Sequence, residues 1–121
     1  MEISDPQKSQ SFVKPSVAGM VESIIGCKWS LGVLQMVHQG INRPGAMERA
    51  IEGLTTKVLN ERLRKLVNYG ILQRYAYPEI PPRVEYKLTA FGEKFVHILN
   101  EIEKLNQEVE HGLIEHSLEE N

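Results

Sequence analysis

Residues 53–89 read GLTTKVLNERLRKLVNYGILQRYAYPEIPPRVEYKLT, and the change of period inside this stretch decides the fold class. From Thr55 to Tyr69 there is neither glycine nor proline. At 100° per residue Leu59, Arg62, Leu63 and Leu66 share one face, while Lys57, Asn60, Glu61, Arg64 and Asn68 fall on roughly the opposite one, so the spacing predicts an amphipathic helix. Thr55 is suited to cap its start and Gly70 to close its end. After Gly70 the period drops to two. Leu72 and Arg74 alternate with Ile71, Gln73 and Tyr75, which predicts a strand over 71–77, and a second strand returns over 83–88. Between them, Pro78-Glu79-Ile80-Pro81-Pro82 is too rich in residues without an N–H to pair in a sheet, and should protrude as a stiff hairpin tip.

Working outward, residues 45–51 predict a short helix with Met47, Ala50 and Ile51 inward, closed by Gly53 and of the size of the first half of a helix-turn-helix. Before it, Gly40, Asn42 and Pro44 punctuate a turn. Trp29, Leu31, Val33, Leu34, Met36 and Val37 then mark a helix that is apolar nearly all round. Val17, Met20, Val21, Ile24 and Ile25 recur at three- and four-residue spacing, a short amphipathic helix that Gly26 ends. Residues 1–15 are polar, contain Pro6 and Pro15 and lack an apolar period, so they read as a mobile arm. Downstream, Thr89 offers an N-cap, with Gly92 in the first turn, to a long helix over about 90–117. Its apolar residues Phe95, Ile98, Leu99, Ile102, Leu105 and Val109 form a narrow stripe, acidic on the outside, that suits a partner helix better than the domain's own core. Gly112 should interrupt this helix, and residues 118–121 should fray. The expected architecture is mainly α with a small β-hairpin: one winged helix-turn-helix domain over 16–117, whose last helix, about 90–117, offers its stripe to a partner helix.

The chain has 121 residues, enough for one modest core. Its composition, 41% hydrophobic and 25% charged, is that of an ordinary soluble globular protein. The net charge of −2 hides an asymmetry. Residues 43–87 carry nine basic and five acidic groups, whereas residues 88–121 carry two and eight. A basic middle and an acidic end fit a chain that meets an anionic partner with one segment only. No apolar run is long enough for a membrane span, and MEISDPQKSQ at the start lacks the features of a signal peptide, so a cytoplasmic location is expected. A lone Cys27 forms no internal disulfide. There is no phosphate loop, no nucleophile elbow and no dense Asp, Glu or His cluster, which tells against an enzyme. His97, His111 and His116 have neither i, i+4 spacing nor cysteine partners, so no metal and no cofactor is expected.

Ile24-Ile25-Gly26-Cys27-Lys28-Trp29-Ser30 resembles the "IGGKW" opening of HxlR-type winged-helix regulators, within the wider MarR-like superfamily. Asn42-Arg43-Pro44-Gly45, the run Gly53 to Arg64 and the run Tyr77 to Thr89 are similar to that family's turn, recognition helix and wing. The resemblance covers about residues 16–102, and the proline-bracketed wing is its most specific part. It implies a two-fold dimer, held by the first and last helices, that sets two recognition helices in successive major grooves of a pseudo-palindromic double-stranded operator. The dimer interface would then comprise Val17, Met20, Val21, Phe95, Ile98, Leu99, Ile102, Leu105 and Val109. One departure stands out. Many members carry a Cys-Pro pair about a dozen residues before the "KW", where this chain has Ser16-Val17. Its only cysteine sits at the second glycine of the motif, which tells against thiol sensing of the usual kind.

On the recognition helix, Thr55 and Thr56 could offer hydroxyls and N–H groups to a phosphate at the helix N-terminus. Lys57 could donate to guanine and Asn60 pair with adenine, and Arg64 suits a phosphate. The plain alternative is a solvated helix face, and Glu61 on the same face would repel phosphate. Arg83, beside the proline turn, is the candidate for a narrow minor groove, its alternative being an ion pair with Glu79 or Glu85. Lys28 and Arg43 read equally as outer phosphate contacts or as helix-end charges. Cys27 is either a thiol activated by Lys28 and a helix N-terminus or a small half-buried side chain. Trp29 reads as core rather than as a ligand-stacking ring. A winged-helix module used for protein contacts without DNA is the rival reading of the whole chain. No residue identifies a small-molecule effector.

Overall fold

The structure, a computed structural model, describes residues 14–112. The arm expected over 1–15 therefore lies outside the described residues save for its last two, as do His116, the end of the helix expected to reach residue 117, and the tail 118–121. The elements run α1 (Val17–Ile25), α2 (Lys28–His38), α3 (Pro44–Ala50), α4 (Thr56–Asn68), β1 (Leu72–Tyr77), β2 (Arg83–Leu88) and α5 (Ala90–Glu110).

α2 is the centre. Ser30, Val33, Leu34, Met36 and Val37 on it are all buried, and it packs on α1, α4, β2 and α5. α4 lies against it through Leu59, Leu63 and Leu66, none of which retains any exposed surface. Each such leucine, cut back to alanine, would cost about 2–5 kcal/mol in transfer and cavity terms. α4 begins where expected: the Thr55 hydroxyl accepts the Val58 N–H at 3.1 Å. Gly70 follows its end in the left-handed region, φ +80°, and the Tyr69 hydroxyl donates to Ser23 on α1 at 3.2 Å.

α3 corrects one expectation. Met47 is buried, but Ala50 is exposed and Ile51 lies beyond the helix end, half-buried. A helix of seven residues makes only two turns, so it presents little more than one side chain squarely to the core. Gly53, at φ +86°, turns the chain from α3 into α4. The Trp29 ring lies against that turn and packs on the core, as its apolar setting predicts.

β1 and β2 pair antiparallel from Leu72 with Leu88 to Tyr77 with Arg83. Opposed residues share a face. Leu72, Arg74 and Ala76 therefore lie with Leu88, Tyr86 and Val84, whereas Gln73, Tyr75 and Tyr77 lie with Lys87, Glu85 and Arg83. Ile71 precedes the strand and is fully buried. The Tyr86 N–H donates to the Asn42 carbonyl at 2.8 Å, which ties the segment before α3 to the hairpin.

The joint between hairpin and α5 is tight. The Thr89 hydroxyl caps α5 by accepting the Gly92 N–H at 2.9 Å and donates to the Gly70 carbonyl at 2.6 Å, so one side chain binds the start of α5 to the end of α4. Gly92 is buried, and a Cβ there would collide with the Ile71 carbonyl. Phe95, Val96 and Leu99 enter the core. From Asn100 onward every described residue of α5 is exposed. That stretch of eleven residues, Asn100 to Glu110, is roughly 16 Å long at 1.5 Å per residue, and its first half, to Asn106, still lines a groove with α2.

Helix propensity alone says that Gly92→Ala should stabilise α5 by about 1 kcal/mol. Against the Ile71 carbonyl the added methyl instead forces the first turn away, and we expect a loss of about 1–3 kcal/mol in urea unfolding. A gain in stability for this variant would sink the close-approach account.

Candidate nucleic-acid interface

Because Leu59, Leu63 and Leu66 face α2, the opposite side of α4 is turned to solvent. Lys57, Asn60, Glu61 and Arg64, at i, i+3, i+4 and i+7, form one exposed stripe along it. Among the described residues none of Lys57, Asn60 and Arg64 is engaged in an ion pair or a side-chain hydrogen bond. The stripe thus offers two cations and an amide with their donors unspent.

The two threonines at the head of α4 differ. Thr55 spends its oxygen on the cap, which leaves the hydroxyl hydrogen to give. Thr56 already donates to Glu48 of α3 at 2.8 Å. That bond joins the two helices of the helix-turn-helix across eight residues and sets a carboxylate beside the α4 N-terminus, where the helix dipole favours negative charge. Glu48 has no local sequence signal, since its partner is brought near only by the turn at Gly53.

At the wing, Arg83 is not the free cation expected beside the proline turn; the ion-pair alternative is the one observed. Its guanidinium meets Glu79 at 2.8 Å and Glu85 at 3.0 Å, and lies over the Tyr77 ring at 4.0 Å. Glu85 is only 8% exposed. Its carboxylate also faces Arg43 at 3.5 Å, so Glu85 links the wing to the residue that precedes α3. A carboxylate so buried needs both partners to offset its desolvation. Arg43 keeps a half-exposed side chain. With Arg49 of α3 it lines an open groove of about 660 Å³ whose far wall is Ile80, Pro81 and Pro82. Arg49 is a cation the sequence reading missed; its place on the wing-facing side of α3 depends on how that short helix is set.

Lys28 stands at the start of α2 over the Trp29 ring, 4.7 Å from its centroid, and so beside the turn that leads into α4. Cys27, just before it, is half-buried. Burial pushes its thiol up, but the Ser30 hydroxyl and N–H, the Arg62 guanidinium and the Trp29 N–H outweigh that and hold the thiol below its usual value. The cation responsible is Arg62 of α4 rather than the neighbouring Lys28.

The expected dimer surface divides in two. Met20, Phe95 and Leu99 belong to the protomer's own core and leave no side chain for a partner, which corrects their assignment. α5 lies on its own domain through its first three turns, and these residues are the ones it buries there. Val21 is half-buried against the same core. Val17, Ile98, Ile102, Leu105 and Val109 are exposed, joined by Ile25 and Phe91, which the sequence reading left out. A groove of about 240 Å³ between α2 and α5, with Ile25, Leu31, Leu34 and Val96 among its lining, continues this apolar surface. No single helix among the described residues is long and apolar enough to cross a membrane.

Comparison with known proteins places this geometry. An HTH-type transcriptional regulator of Synechocystis is 43% identical over 88 residues, 73% of this chain and 65% of the relative; the chain thus spans just under two thirds of that protein. The regulatory protein MalR of Fusobacterium mortiferum is 37% identical over 87 residues, 71% of this chain and 82% of the relative. Among solved structures, a transcriptional regulator of the MarR family from Enterococcus faecalis superposes with a TM-score of 0.71 at 30% identity, covering 93% of this chain and 94% of the other. The HxlR-like helix-turn-helix profile matches residues 24–112. With the wing, the recognition-helix stripe and most of its length accounted for in this way, the chain belongs to the HxlR-like helix-turn-helix family, a family of transcriptional regulators and not of enzymes.

Proposed function

We propose that the protein is a homodimeric transcription regulator that binds a pseudo-palindromic double-stranded DNA site in the cytoplasm. One observation carries the reading: the exposed, unengaged Lys57, Asn60 and Arg64 stripe on a helix whose other face is wholly buried. In this reading the stripe enters the major groove. Lys57 and Asn60 meet base edges, Arg64 meets phosphate, and the Thr55 hydroxyl with the first N–H groups of α4 receives a backbone phosphate. The Glu48–Thr56 bond holds the two helices of the motif at one angle. Arg43 and Lys28 take outer phosphates, and Arg83 braces the wing rather than entering a groove.

The dimer rests on α5 and α1. Val17 on α1 and Ile98, Ile102, Leu105 and Val109 on α5 lie exposed, and a second copy covers them in this reading, bringing two α4 helices about one helical turn of DNA apart. Leu105 is beyond the part of α5 that packs on its own domain, so Leu105→Asp should leave the unfolding transition of the domain in place while shifting light-scattering mass to the monomer. A dimer that survives this change, with Ile102→Asp also dimeric, would contradict the interface.

The DNA reading is tested by selecting random duplexes with the purified protein at two salt concentrations. An inverted repeat with salt-sensitive affinity is expected; no enrichment would overturn the reading. Arg64→Ala should then weaken every duplex about equally and lower the salt slope by about 1 per protomer, about 2 for the dimer, whereas Asn60→Ala should cost about 1–3 kcal/mol at one base position of each half-site only. Wild-type affinity and specificity in both variants would remove α4 from the interface.

A further inference from the structure

We infer that the wing meets DNA through an apolar tip, Ile80 wedging into the minor groove, and not through a cation. The inference rests on the DNA-binding reading above and names the residue that decides specificity at the wing.

Ile80 is fully exposed. Among the described residues, the other exposed large apolar side chains all lie on α1 and α5, where a second copy of the chain covers them in the proposed dimer. Ile80 alone lies on neither. A single exposed isoleucine is ordinary on a protein surface, so three further features carry the point. Pro78, Pro81 and Pro82 restrict the backbone on both sides of it, so little conformational entropy is lost when the tip is held. The tip has no cation to offer: between residues 78 and 82 the only charge is Glu79, and Arg83 neutralises it at 2.8 Å while also bound to Glu85 and lying on Tyr77. The cations near the tip, Arg43 and Arg49, stand on the opposite wall of the groove that Ile80, Pro81 and Pro82 line.

This arrangement suits the edge of a duplex. The two arginines meet the phosphates that border the minor groove, and the neutral apolar tip goes between them to the bases, where isoleucine and proline are among the side chains that pry stacked steps apart. Pyrimidine–purine steps, TA above all, unstack at least cost. The operator should therefore carry such a step at one fixed distance outside each half-site, at a position touched by no hydrogen-bonding side chain.

The test uses the full-length protein and the inverted repeat recovered by selection, with 2-aminopurine replacing the adenine of the step. Wild-type binding should raise the 2-aminopurine fluorescence. Ile80→Ala, whose side chain contacts nothing in the fold and so leaves the melting temperature unchanged, should abolish that rise. It should also weaken the operator roughly five- to tenfold for each of the dimer's two wings, from the apolar surface no longer buried, with the salt slope unchanged because no charge is lost. A TA-to-GC change at the step should weaken the wild type and leave Ile80→Ala indifferent. Wild-type binding with equal affinity and equal fluorescence in Ile80→Ala would overturn the wedge and leave the DNA reading intact. Failure of the wild type to bind any duplex would overturn that reading and the wedge with it.

Discussion

The contact between α4 and α2 is the constraint on which the rest of the molecule depends. Leu59, Leu63 and Leu66 are buried to zero exposure against a central helix that is itself apolar on nearly every side. Burying three leucines is worth several kcal/mol, a sizeable share of what a domain of this length has in hand. It also decides orientation. A helix rotated by even one residue would expose a leucine and bury Lys57 or Asn60 without partners, at the desolvation cost of an unpaired polar group. The polar stripe is thus presented outward as a consequence of packing, with no element devoted to that task.

Around this contact the chain is held by a few side chains that each join two elements. Thr89 caps α5 and bonds to the end of α4. Glu48 reaches from α3 to the head of α4. Glu85 gathers Arg43 and Arg83 about one buried carboxylate. These three side chains set the angle of the recognition helix, the angle of α5 and the stance of the wing. Two of them consume groups that, read in isolation, looked available to an anionic ligand: the Thr56 hydroxyl and the Arg83 guanidinium. A basic residue near a turn is a candidate contact only until the carboxylates around it are placed, and in a chain with sixteen acidic residues that placement matters.

The same division governs the long terminal helix. Its apolar stripe runs unbroken in sequence, yet the first half faces the protomer's own core and the second half faces solvent. The stripe is continuous because a helix keeps its phase over its length, while burial beneath it ends at Leu99. Where that boundary falls is a matter of how large the domain is, which no local pattern records. The groove between α2 and α5 opens at this boundary, where the core gives way to surface.

What the sequence by itself determined is the set of elements and their caps: the shift from period 3.6 to period 2 at Gly70, Thr55 and Thr89 as caps, the proline tip, and the leucine and polar faces of α4. These follow from interactions between residues within a few positions of each other, and local spacing encodes them. The surplus of basic groups over 43–87 was legible for the same reason, as was the family resemblance in the wing. What only the tertiary structure decided is which partners each side chain meets: Glu48 with Thr56, Arg62 near Cys27, Glu85 with both arginines, Phe95 and Leu99 in the core, Arg49 and Ile80 across one groove. Those meetings depend on turns at Gly53, on the hairpin register and on the close approach at Gly92, through which small angles bring distant residues within hydrogen-bond reach. Pairing of this kind is fixed by packing as a whole, because a buried charge or hydroxyl takes whatever partner the fold delivers to it.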